Sequence, residues 1–543
     1  MIASLVLPLV GLVGLVLAQY IGVVVYRLTL HPLAKYPGPK LWAATQWSQA
    51  LLFYTGRLHV ELHLAHEKYG DIVRFGPHHL SFRSVEGVHD IYIDRKANLI
   101  KGGGFTDAAE ALNRPVNTHS IHDRALHAKR RRLLANAFSE QALRNLEPFV
   151  VETIKRWIDT IAQPENSAEN TKGWSKPTDM GVWSSNLTID ALGELCFGKS
   201  FGAIENGSHW TSEFLMGSTT FVACMGVTPG RELLYPLIRQ NWLMLRLGLK
   251  VVKQKVEYRL RMLPLLKARF QLEEETKDKP ELQRKDFMHY LMKAKDPETG
   301  DRFTPADLVG EAALLVGAGT DTTSTALAAE FFYLTRDRRV LTKLQEEVRG
   351  AYDNVEDIKT GPKLSSLHYL RAVVDESLRM GSPVPDVLHR RILPGGATIA
   401  GQQLAAGTIV GSTQYALHHN ESYFPRSFDF LPERWITGSE DLGFPVTASS
   451  IEVAKQAFIP FSVGARNCVG KNMAMMELLI ATARMAWLLD VRKVDGPLGK
   501  IGEGGHTSER GRQRVGEFQT KNYFLADRDG PVVEFKRRET VVA

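Results

Sequence analysis

The stretch that decides the fold is Phe461-Ser462-Val463-Gly464-Ala465-Arg466-Asn467-Cys468-Val469-Gly470. It places a cysteine in a glycine-rich turn, and the pattern of Lys471 to Leu489 predicts a helix directly after it. Glycine lets the backbone turn closely enough for N–H groups to point at the sulfur, and the positive N-terminus of a helix lowers the pKa of a thiol. The pattern therefore predicts that Cys468 is a thiolate ligand, whereas a buried structural cysteine is the alternative for any isolated cysteine.

An apolar stretch, Ala306 to Thr335, precedes this turn and carries Ala318-Gly319-Thr320-Asp321-Thr322-Thr323 near its centre. Its length predicts a long buried helix. Threonine hydroxyls compete for backbone carbonyls in the middle of a helix, so we expect this helix to bend and to leave a groove. A buried aspartate is costly unless it has a role, which favours a function for Asp321 and Thr322 over a helix with incidental threonines.

Three further segments combine charges with short spacings. Glu376-Ser377-Leu378-Arg379 places a carboxylate and a guanidinium on one face of a helix, which alone would be a common surface pair. Pro432-Glu433-Arg434-Trp435 places a glutamate and an arginine side by side later in the chain. His127 to Arg131 begins a basic helix that runs towards Ser139.

In this order, the segments resemble the cytochrome P-450 family, and the resemblance covers nearly the whole chain. Phe461 to Gly470 matches the family's haem-binding signature, F-x-x-G-x-R-x-C-x-G, at every fixed position. Glu376 to Arg379 matches its E-x-x-R, and Pro432 to Trp435 resembles P-E-R-F with Trp in place of Phe. His127 to Arg131 is similar to W-x-x-x-R, with His127 in the place of the usual Trp, which leaves the role of His127 open.

The resemblance implies a mainly α fold with small β-sheets, the cytochrome P-450 fold, preceded by an N-terminal transmembrane helix. It also implies haem b as the cofactor, with Cys468 as the axial ligand to the iron. The other residues that it assigns to cofactor binding are Phe461, Gly464, Arg466, Gly470, His127, Arg131, Arg390 and Ala318. Arg391 could hold the place of Arg390. In the family, an acid–alcohol pair delivers protons during dioxygen activation, and Asp321 and Thr322 hold those places here. Glu376, Arg379 and Arg434 are expected to form a structural network near the ligand loop.

The first segment predicts a membrane anchor. Ile2 to Tyr26 carries no charge and is long enough to cross the roughly 30 Å hydrocarbon core of a bilayer. Arg27, Lys35 and Lys40 follow it, so the positive-inside rule places the body on the cytoplasmic side. We expect an anchor at 1–26, a proline-containing joint at 27–45 and a catalytic domain at 46–543. A cleaved signal peptide, with a weak cleavage site at Ala18, is the alternative.

Composition limits the classes of partner. The net charge of +7 on 543 residues is too mild to indicate nucleic-acid binding. Cys196, Cys224 and Cys468 are the only cysteines and lie far apart, which argues against a zinc site or a disulfide framework. A basic docking face is expected from Lys129, Arg130, Arg132 and Lys471.

These observations predict an enzyme of the endoplasmic-reticulum membrane, single-pass, with its catalytic domain facing the cytosol. The resemblance implies that it oxidises, by hydroxylation, an apolar small molecule with O₂ and electrons from NADPH. No reductase domain is evident, so a separate NADPH–cytochrome P-450 reductase would supply the electrons. Segments such as Tyr415 to Asn420 and Phe518 to Lys521 resemble filamentous-fungal members, which often act in secondary-metabolite biosynthesis.

Two alternatives stay open at this point. One keeps the haem but couples phenols or rearranges the substrate without oxygen insertion. The other is a non-enzymatic haem sensor or carrier. Substrate specificity is expected to lie in Gly102 to Ser120, Phe214 to Gly226 and Pro383 to Leu388. Trp242-Leu243-Met244-Leu245 could also dip into the membrane surface, although an ordinary amphipathic helix is the simpler interpretation.

Overall fold

The computed structural model describes residues 2–112, 115–164, 173–208, 210–240, 242, 246, 248, 250–440 and 442–539. Helices dominate, and small sheets lie beside them, as the sequence predicts. The helices are α1 Ile2–Thr29, α2 Lys40–Ala44, α3 Gln46–Tyr54, α4 Leu58–Tyr69, α5 Val85–Val88, α6 Phe105–Leu112, α7 Arg124–Ala135, α8 Glu140–Ile161, α9 Met180–Phe197, α10 Ala203–Asn206, α11 Trp210–Val227, α12 Arg231–Ile238, α13 Lys250–Glu275, α14 Phe287–Lys293, α15 Pro305–Leu334, α16 Arg338–Ala351, α17 Pro362–Ser365, α18 His368–Met380, α19 Gln414–His418, α20 Ala448–Ala457 and α21 Lys471–Leu488.

The strands are short. They are β1 Ile72–Gly76, β2 His79–Phe82, β3 Leu99–Lys101, β4 Thr178–Asp179, β5 Arg390–Ile392, β6 Ala397–Ile399, β7 Gln402–Leu404, β8 Ile409–Gly411, β9 Leu489–Lys493, β10 Thr520–Tyr523, β11 Leu525–Arg528 and β12 Val532–Arg537. The largest sheet has the order β1-β2-β8-β5-β3, and β12 lies between β4 and β9 in a second sheet. Strands β1 and β2 form a hairpin, with Ile72 opposite Phe82. A second hairpin pairs β10 with β11 and leaves Phe524 at its tip.

Helix α15 is the central element of the core. Thr304 caps its N-terminus by accepting from the backbone N–H of Asp307, whose side chain accepts in return, and Pro305 occupies the first turn. The helix packs on α9, α18 and α21. The helix continues without interruption through the threonine-rich turn, where the sequence predicts a bend. The hydroxyls of Thr322 and Thr325 donate to the carbonyls four residues earlier, within the helix itself.

Helix α1 stands outside the core. Its segment Val10–Thr29 is long and apolar enough to cross a membrane, and it is not buried inside the protein. The residues that follow α1 pack against the body of the protein. Arg27 donates from Nη1 to the carbonyl of Ala44 at 2.9 Å, and Arg74 donates to the carbonyl of Arg27 at 2.8 Å. Gly38 has φ +159°, and a Cβ there would lie 2.2 Å from the carbonyl oxygen of Arg74.

The carboxylate of Glu376 is completely buried on α18, and five donors surround it. Arg379 donates to both oxygens at 2.7 and 2.8 Å, and Arg434 donates from Nε at 2.9 Å. The indole N–H of Trp435 and the backbone N–H of Leu431 complete the set. Burial opposes ionisation of Glu376, but the two guanidinium groups outweigh it and lower its pKa to about 2.

This cluster reaches the segment that carries Cys468. Arg379 also donates to the carbonyls of His418 and Ser427, at 2.8 and 2.7 Å. His418 in turn accepts the backbone N–H of Ile459 on Nε2 at 3.0 Å, two residues before Phe461. A continuous set of hydrogen bonds therefore joins Glu376 to the base of the cysteine loop.

We predict that Arg379→Ala strongly destabilises the protein, because it leaves the Glu376 charge buried and only partly compensated, at a cost of about 3–5 kcal/mol. The free energy of unfolding in urea and the haem content measure the effect. Arg144→Ala is the control, because it removes an arginine from an exposed ion pair with Glu140 on α8 and should cost less than about 1 kcal/mol. Equal stability of the two variants would contradict the prediction.

The same carboxylate gives a pH dependence. The pKa of Glu376 in the fold lies below its ordinary value of 4.5, so its contribution to stability is fully present above about pH 4.5 and is lost as the pH falls towards 2. Glu376→Gln should therefore flatten the acid limb of the stability profile, measured by urea unfolding between these pH values. An unchanged slope would show that Glu376 does not carry this charge.

Candidate haem site

The loop around Cys468 directs backbone donors at the sulfur. The backbone N–H of Cys468 donates to the carbonyl of Phe461 at 2.9 Å, which closes the turn, and the N–H groups of Gly470 and Lys471 donate to the sulfur. Gly464 has φ +76°, and a Cβ there would lie 1.8 Å from the carbonyl oxygen of Tyr92. Glycine is therefore required at 464 by conformation and by close approach.

The thiol of Cys468 is not acidified overall, contrary to the expectation from the following helix. Burial raises its pKa and outweighs the two backbone N–H groups and the charges of Arg131 and Lys471, which act in the opposite direction. The residue is nevertheless accessible, because it lines an internal cavity. Coordination to a metal cation would reverse this balance, since a metal ion favours the deprotonated sulfur.

The cavity in front of Cys468 has a volume of about 300 Å³ and is called the lower cavity here. It brings together most of the residues predicted from the sequence: His127, Arg131, Ala318, Thr322, Arg390, Phe461, Arg466, Cys468 and Gly470. Gly464 and Asp321 are not in its lining, and neither are Glu376, Arg379 and Arg434, which lie behind the loop.

Besides Arg131, which donates to Asn467, three cations line the lower cavity without an ion pair to a carboxylate in the described part of the chain: Lys101, Arg390 and Arg466. Each donates only to backbone carbonyls, for example Arg466 to those of Ile121 and His122 at 2.6 and 2.7 Å. Burial and the neighbouring Arg390 lower the pKa of Arg466 to about 10 and that of Lys101 well below its usual range. Buried cations without a counter-ion are costly, so the site lacks an anion. The two propionate carboxylates of haem fit this requirement, next to a cysteine that can reach the iron.

The two candidate arginines of β5 differ in their surroundings. Arg390 is buried, lines the lower cavity and stacks over the ring of Tyr92 at 5.0 Å. Arg391 does not line it and forms an ion pair with Asp107 at 2.6 Å. The geometry therefore favours Arg390 for an anion in the cavity.

On α7, the side chains of His127 and Arg131, both predicted at the site, line the lower cavity. Arg131 donates to the carbonyl and side-chain oxygens of Asn467 at 2.7 and 2.8 Å, so it braces the loop one residue before Cys468. Burial and the charge of Arg466 lower the pKa of His127 to about 3, which keeps its ring neutral. A neutral imidazole can still donate one hydrogen bond.

The predicted acid–alcohol pair is divided between two environments. Thr322 lines the lower cavity, whereas Asp321 is buried on another side of α15 near Arg528 of β11. Burial raises the pKa of Asp321 to about 7, and Arg528 lowers it only in part. Arg528 donates to Ser324 and Thr325 at 2.7 Å each, and Asp321 Oδ2 has no hydrogen-bond partner among the described residues.

Among the charged residues of the lining, sequence reasoning missed Lys101 and Glu477. Lys101 stands alone on β3, and no local motif marks it. Glu477 lies on α21 nine residues after Cys468 and accepts a hydrogen bond from Thr323; burial raises its pKa to about 8. The available signal for Glu477 was its position on the helix that directly follows the cysteine loop.

The predicted basic docking face needs correction. Lys129 pairs with Asp301, Arg130 with Asp307 and Glu311, and Arg132 with Asp296 and Glu298. Carboxylates before and at the start of α15 therefore offset three of the four charges. Of those four cations, Lys471 alone has no ion pair in the described residues.

Comparison with known proteins identifies the family of this chain. A model of the cytochrome P450 family matches residues 36–491. The chain is 36% identical over 548 residues to cytochrome P450 monooxygenase apf7 of Gibberella fujikuroi, with 97% of this chain and 98% of that protein covered. It is 31% identical over 526 residues to cytochrome P450 monooxygenase AKT7 of Alternaria alternata, with 97% of each covered. It is 34% identical over 499 residues to trichothecene C-15 hydroxylase of Fusarium sporotrichioides, with 90% of this chain and 93% of that protein covered. The matches span most of a fold that brings Cys468 to the cavity, and the chain therefore belongs to the cytochrome P450 family of monooxygenases.

Proposed function

We propose that this protein binds haem b through Cys468 and uses O₂ and electrons from NADPH to hydroxylate an apolar small molecule of secondary metabolism. The observation that carries the proposal is the lower cavity, where a cysteine with backbone donors faces three uncompensated cations. The relative named trichothecene C-15 hydroxylase supports hydroxylation as the type of oxidation.

Haem bound in this cavity would supply the activation of dioxygen. Lys101, Arg390 and Arg466 would bind its carboxylates, and their charges would then be compensated. Arg131 would hold the loop of Cys468 in place through Asn467. Apolar side chains such as Leu388 and Phe461 would keep bulk water from the sulfur side and the substrate side.

Thr322 and Asp321 are proposed to move protons for this chemistry. The Oγ1 atom of Thr322 donates to Ala318 within the helix and can instead hold a proton or a water at the cavity wall. With a pKa of about 7, Asp321 can take up and release a proton near neutral pH. Because Asp321 does not line the cavity, a water or a rotation of its side chain would have to connect it to Thr322.

The proposed location is the endoplasmic-reticulum membrane, with α1 as a single-pass anchor and the catalytic domain in the cytosol. The apolar segment Val10–Thr29 and the basic residues after it support this topology. A separate NADPH–cytochrome P-450 reductase would dock behind the cysteine loop, where Lys471 is exposed. Exposed apolar side chains of the α12 region, Leu233, Leu237 and Trp242, could add a second membrane contact; residues 243–245 lie outside the described residues.

The decisive test of haem–thiolate ligation is Cys468→Ala. The reduced, carbon-monoxide-treated wild type should show the long-wavelength Soret band of thiolate ligation, and the variant should lack both the band and the activity, because no sulfur is left to bind the iron. Cys224→Ala, outside the cavity, should keep both. Retention of the band in Cys468→Ala would overturn the assignment.

Once a substrate is known, ¹⁸O₂ labelling of the product separates hydroxylation from oxidative coupling, which inserts no oxygen.

Removal of residues 1–26 tests the anchor. We expect weaker membrane association with haem binding retained, because the cavity lies in the body and Arg27, which contacts Ala44, is kept. Membrane fractionation and the absorbance spectrum measure the two properties. A truncated protein that cannot bind haem in any expression condition would show that the segment is more than an anchor.

Thr322→Ala should uncouple NADPH consumption from product formation. Without the hydroxyl, no proton is positioned at the cavity wall, so more of the reduced oxygen should leave as hydrogen peroxide. Positioned proton transfer is typically worth about 10²–10⁴-fold in rate, so the loss of product should be large. The ratio of product to NADPH consumed, with peroxide assayed in parallel, is the measurement. Thr322→Ser keeps the hydroxyl and should stay coupled, whereas Asp321→Asn should slow turnover as a whole. Wild-type coupling in Thr322→Ala would remove the hydroxyl from the relay.

A further inference from the structure

A second cavity of about 290 Å³ adjoins the lower cavity and is called the upper cavity here. It lies between α11, α13 and α15, and apolar side chains such as Phe214, Met262 and Leu314 line it. Of the residues proposed to hold the haem, Ala318 alone is in its lining. The upper cavity is therefore left for another molecule, or for the part of a substrate that extends beyond the reaction site.

Three aromatic rings form part of the wall that the two cavities share: Phe105, His119 and Phe524. The rings of Phe105 and Phe524 stack with centroids 3.9 Å apart and planes 11° apart. The His119 ring lies 5.9 Å from each of them. Because these rings line both cavities, the cluster lies at their boundary, and it is called the aromatic constriction.

Phe524 is held in a conformation that a bulky residue rarely adopts. It has φ +75° at the tip of the β10–β11 hairpin. Asn522 fixes it there: its side-chain oxygen accepts the backbone N–H of Phe524 at 2.9 Å, and its amide donates to Asp386 at 3.2 Å. A strained residue that its surroundings maintain at a cavity points to a role in that cavity.

His119 is the polar member of the constriction. Its ring forms no hydrogen bond with any other described residue, although it lines both cavities. Burial and the nearby charges of Lys101 and Arg466 keep the pKa of His119 well below 6.5, so the ring is neutral and offers one donor and one acceptor. Buried polar groups in proteins have hydrogen-bond partners, so this ring is available to a ligand.

The charges around the pocket restrict the ligand further. None of the described residues that line the upper cavity is acidic, and Arg259 lies among them. The cations of the lower cavity lie beyond the constriction. A cationic ligand would find no counter-ion here and would meet like charges. An anionic ligand would have only the exposed Arg259 in this lining to offset its loss of hydration, so transfer of either ion from water is disfavoured.

We propose that Phe105, His119 and Phe524 are specificity-determining residues of a two-lobed substrate pocket, whose substrate is a long, neutral, mainly apolar molecule with a hydroxyl or carbonyl oxygen that hydrogen-bonds to His119. The end to be oxidised lies beside Thr322 in the lower cavity, and the apolar remainder fills the upper cavity. This inference rests on the proposed function, because it takes the lower cavity as the site of oxidation.

The test uses probes that share one chain length: 1-decanol, decane, decanoate and decyltrimethylammonium, with 1-hexanol as the short alcohol. Radiolabelled probes are dialysed to equilibrium against the haem-loaded full chain in phospholipid nanodiscs, and empty nanodiscs correct for uptake by lipid. His119→Phe keeps the ring and removes the hydrogen bond, and His119→Asn keeps a donor and an acceptor. His368→Phe, an exposed histidine on α18, is the matched control.

We expect 1-decanol to bind more tightly than either ion. His119→Phe should weaken 1-decanol about five- to tenfold, the value of one neutral hydrogen bond, and should leave decane unchanged. His119→Asn should restore part of the affinity, and His368→Phe should have no effect. Leu263→Trp, which fills the upper cavity, should weaken 1-decanol more than 1-hexanol.

Equal losses for 1-decanol and decane in His119→Phe would overturn the hydrogen bond and leave the ring as packing only. Tighter binding of decanoate or decyltrimethylammonium than of 1-decanol would overturn the neutral substrate, and equal effects of Leu263→Trp on both alcohols would overturn the two-lobed pocket. Equilibrium dialysis measures the amount of bound probe independently of the ligation state of the haem. Loss of the thiolate Soret band with normal probe binding would therefore contradict the proposed function, and the reverse result would contradict this inference alone.

Discussion

The buried carboxylate of Glu376 is the fixed point on which the cysteine loop depends. It is the acceptor for Arg379, Arg434 and Trp435, and its charge draws together segments that are distant in the chain. Such a buried ion cluster is geometrically demanding, because each displaced partner leaves a charge exposed to an apolar interior. Arg379 passes this constraint through His418 to the backbone at Ile459. The position of Cys468 is therefore set from behind by electrostatics and from the front by Arg131.

The two sides of the loop differ in charge compensation. Behind it, every charge of the Glu376 cluster has a partner of opposite sign. In front of it, Lys101, Arg390 and Arg466 lie near one another, and none of them forms an ion pair with a carboxylate of the described residues. A protein interior tolerates such an arrangement only where something else brings the missing charge. This contrast indicates where a cofactor belongs more directly than the volume of the cavity does.

The features that the sequence predicted well are those set by short spacings. The turn before Cys468 and the Glu376–Arg379 pair depend on residues a few positions apart, whose geometry a turn or a helix imposes. Features that depend on distant partners were missed or wrong. Lys101 meets Arg390 only because β3 pairs with β5, and the charges of α7 are offset by carboxylates more than 160 residues away.

The unpaired cations also bear on how the protein survives in the cell. Repulsion among these cations destabilises the folded chain until the carboxylates of the haem bind. A cofactor that binds only the folded form therefore shifts the folding equilibrium towards that form by mass action. Newly made chains that have not bound haem would be unfolded for a larger fraction of the time. Chaperones would bind them and proteases would degrade them more often. The steady-state amount of this enzyme would then follow the iron and porphyrin supply of its host, without any change in transcription.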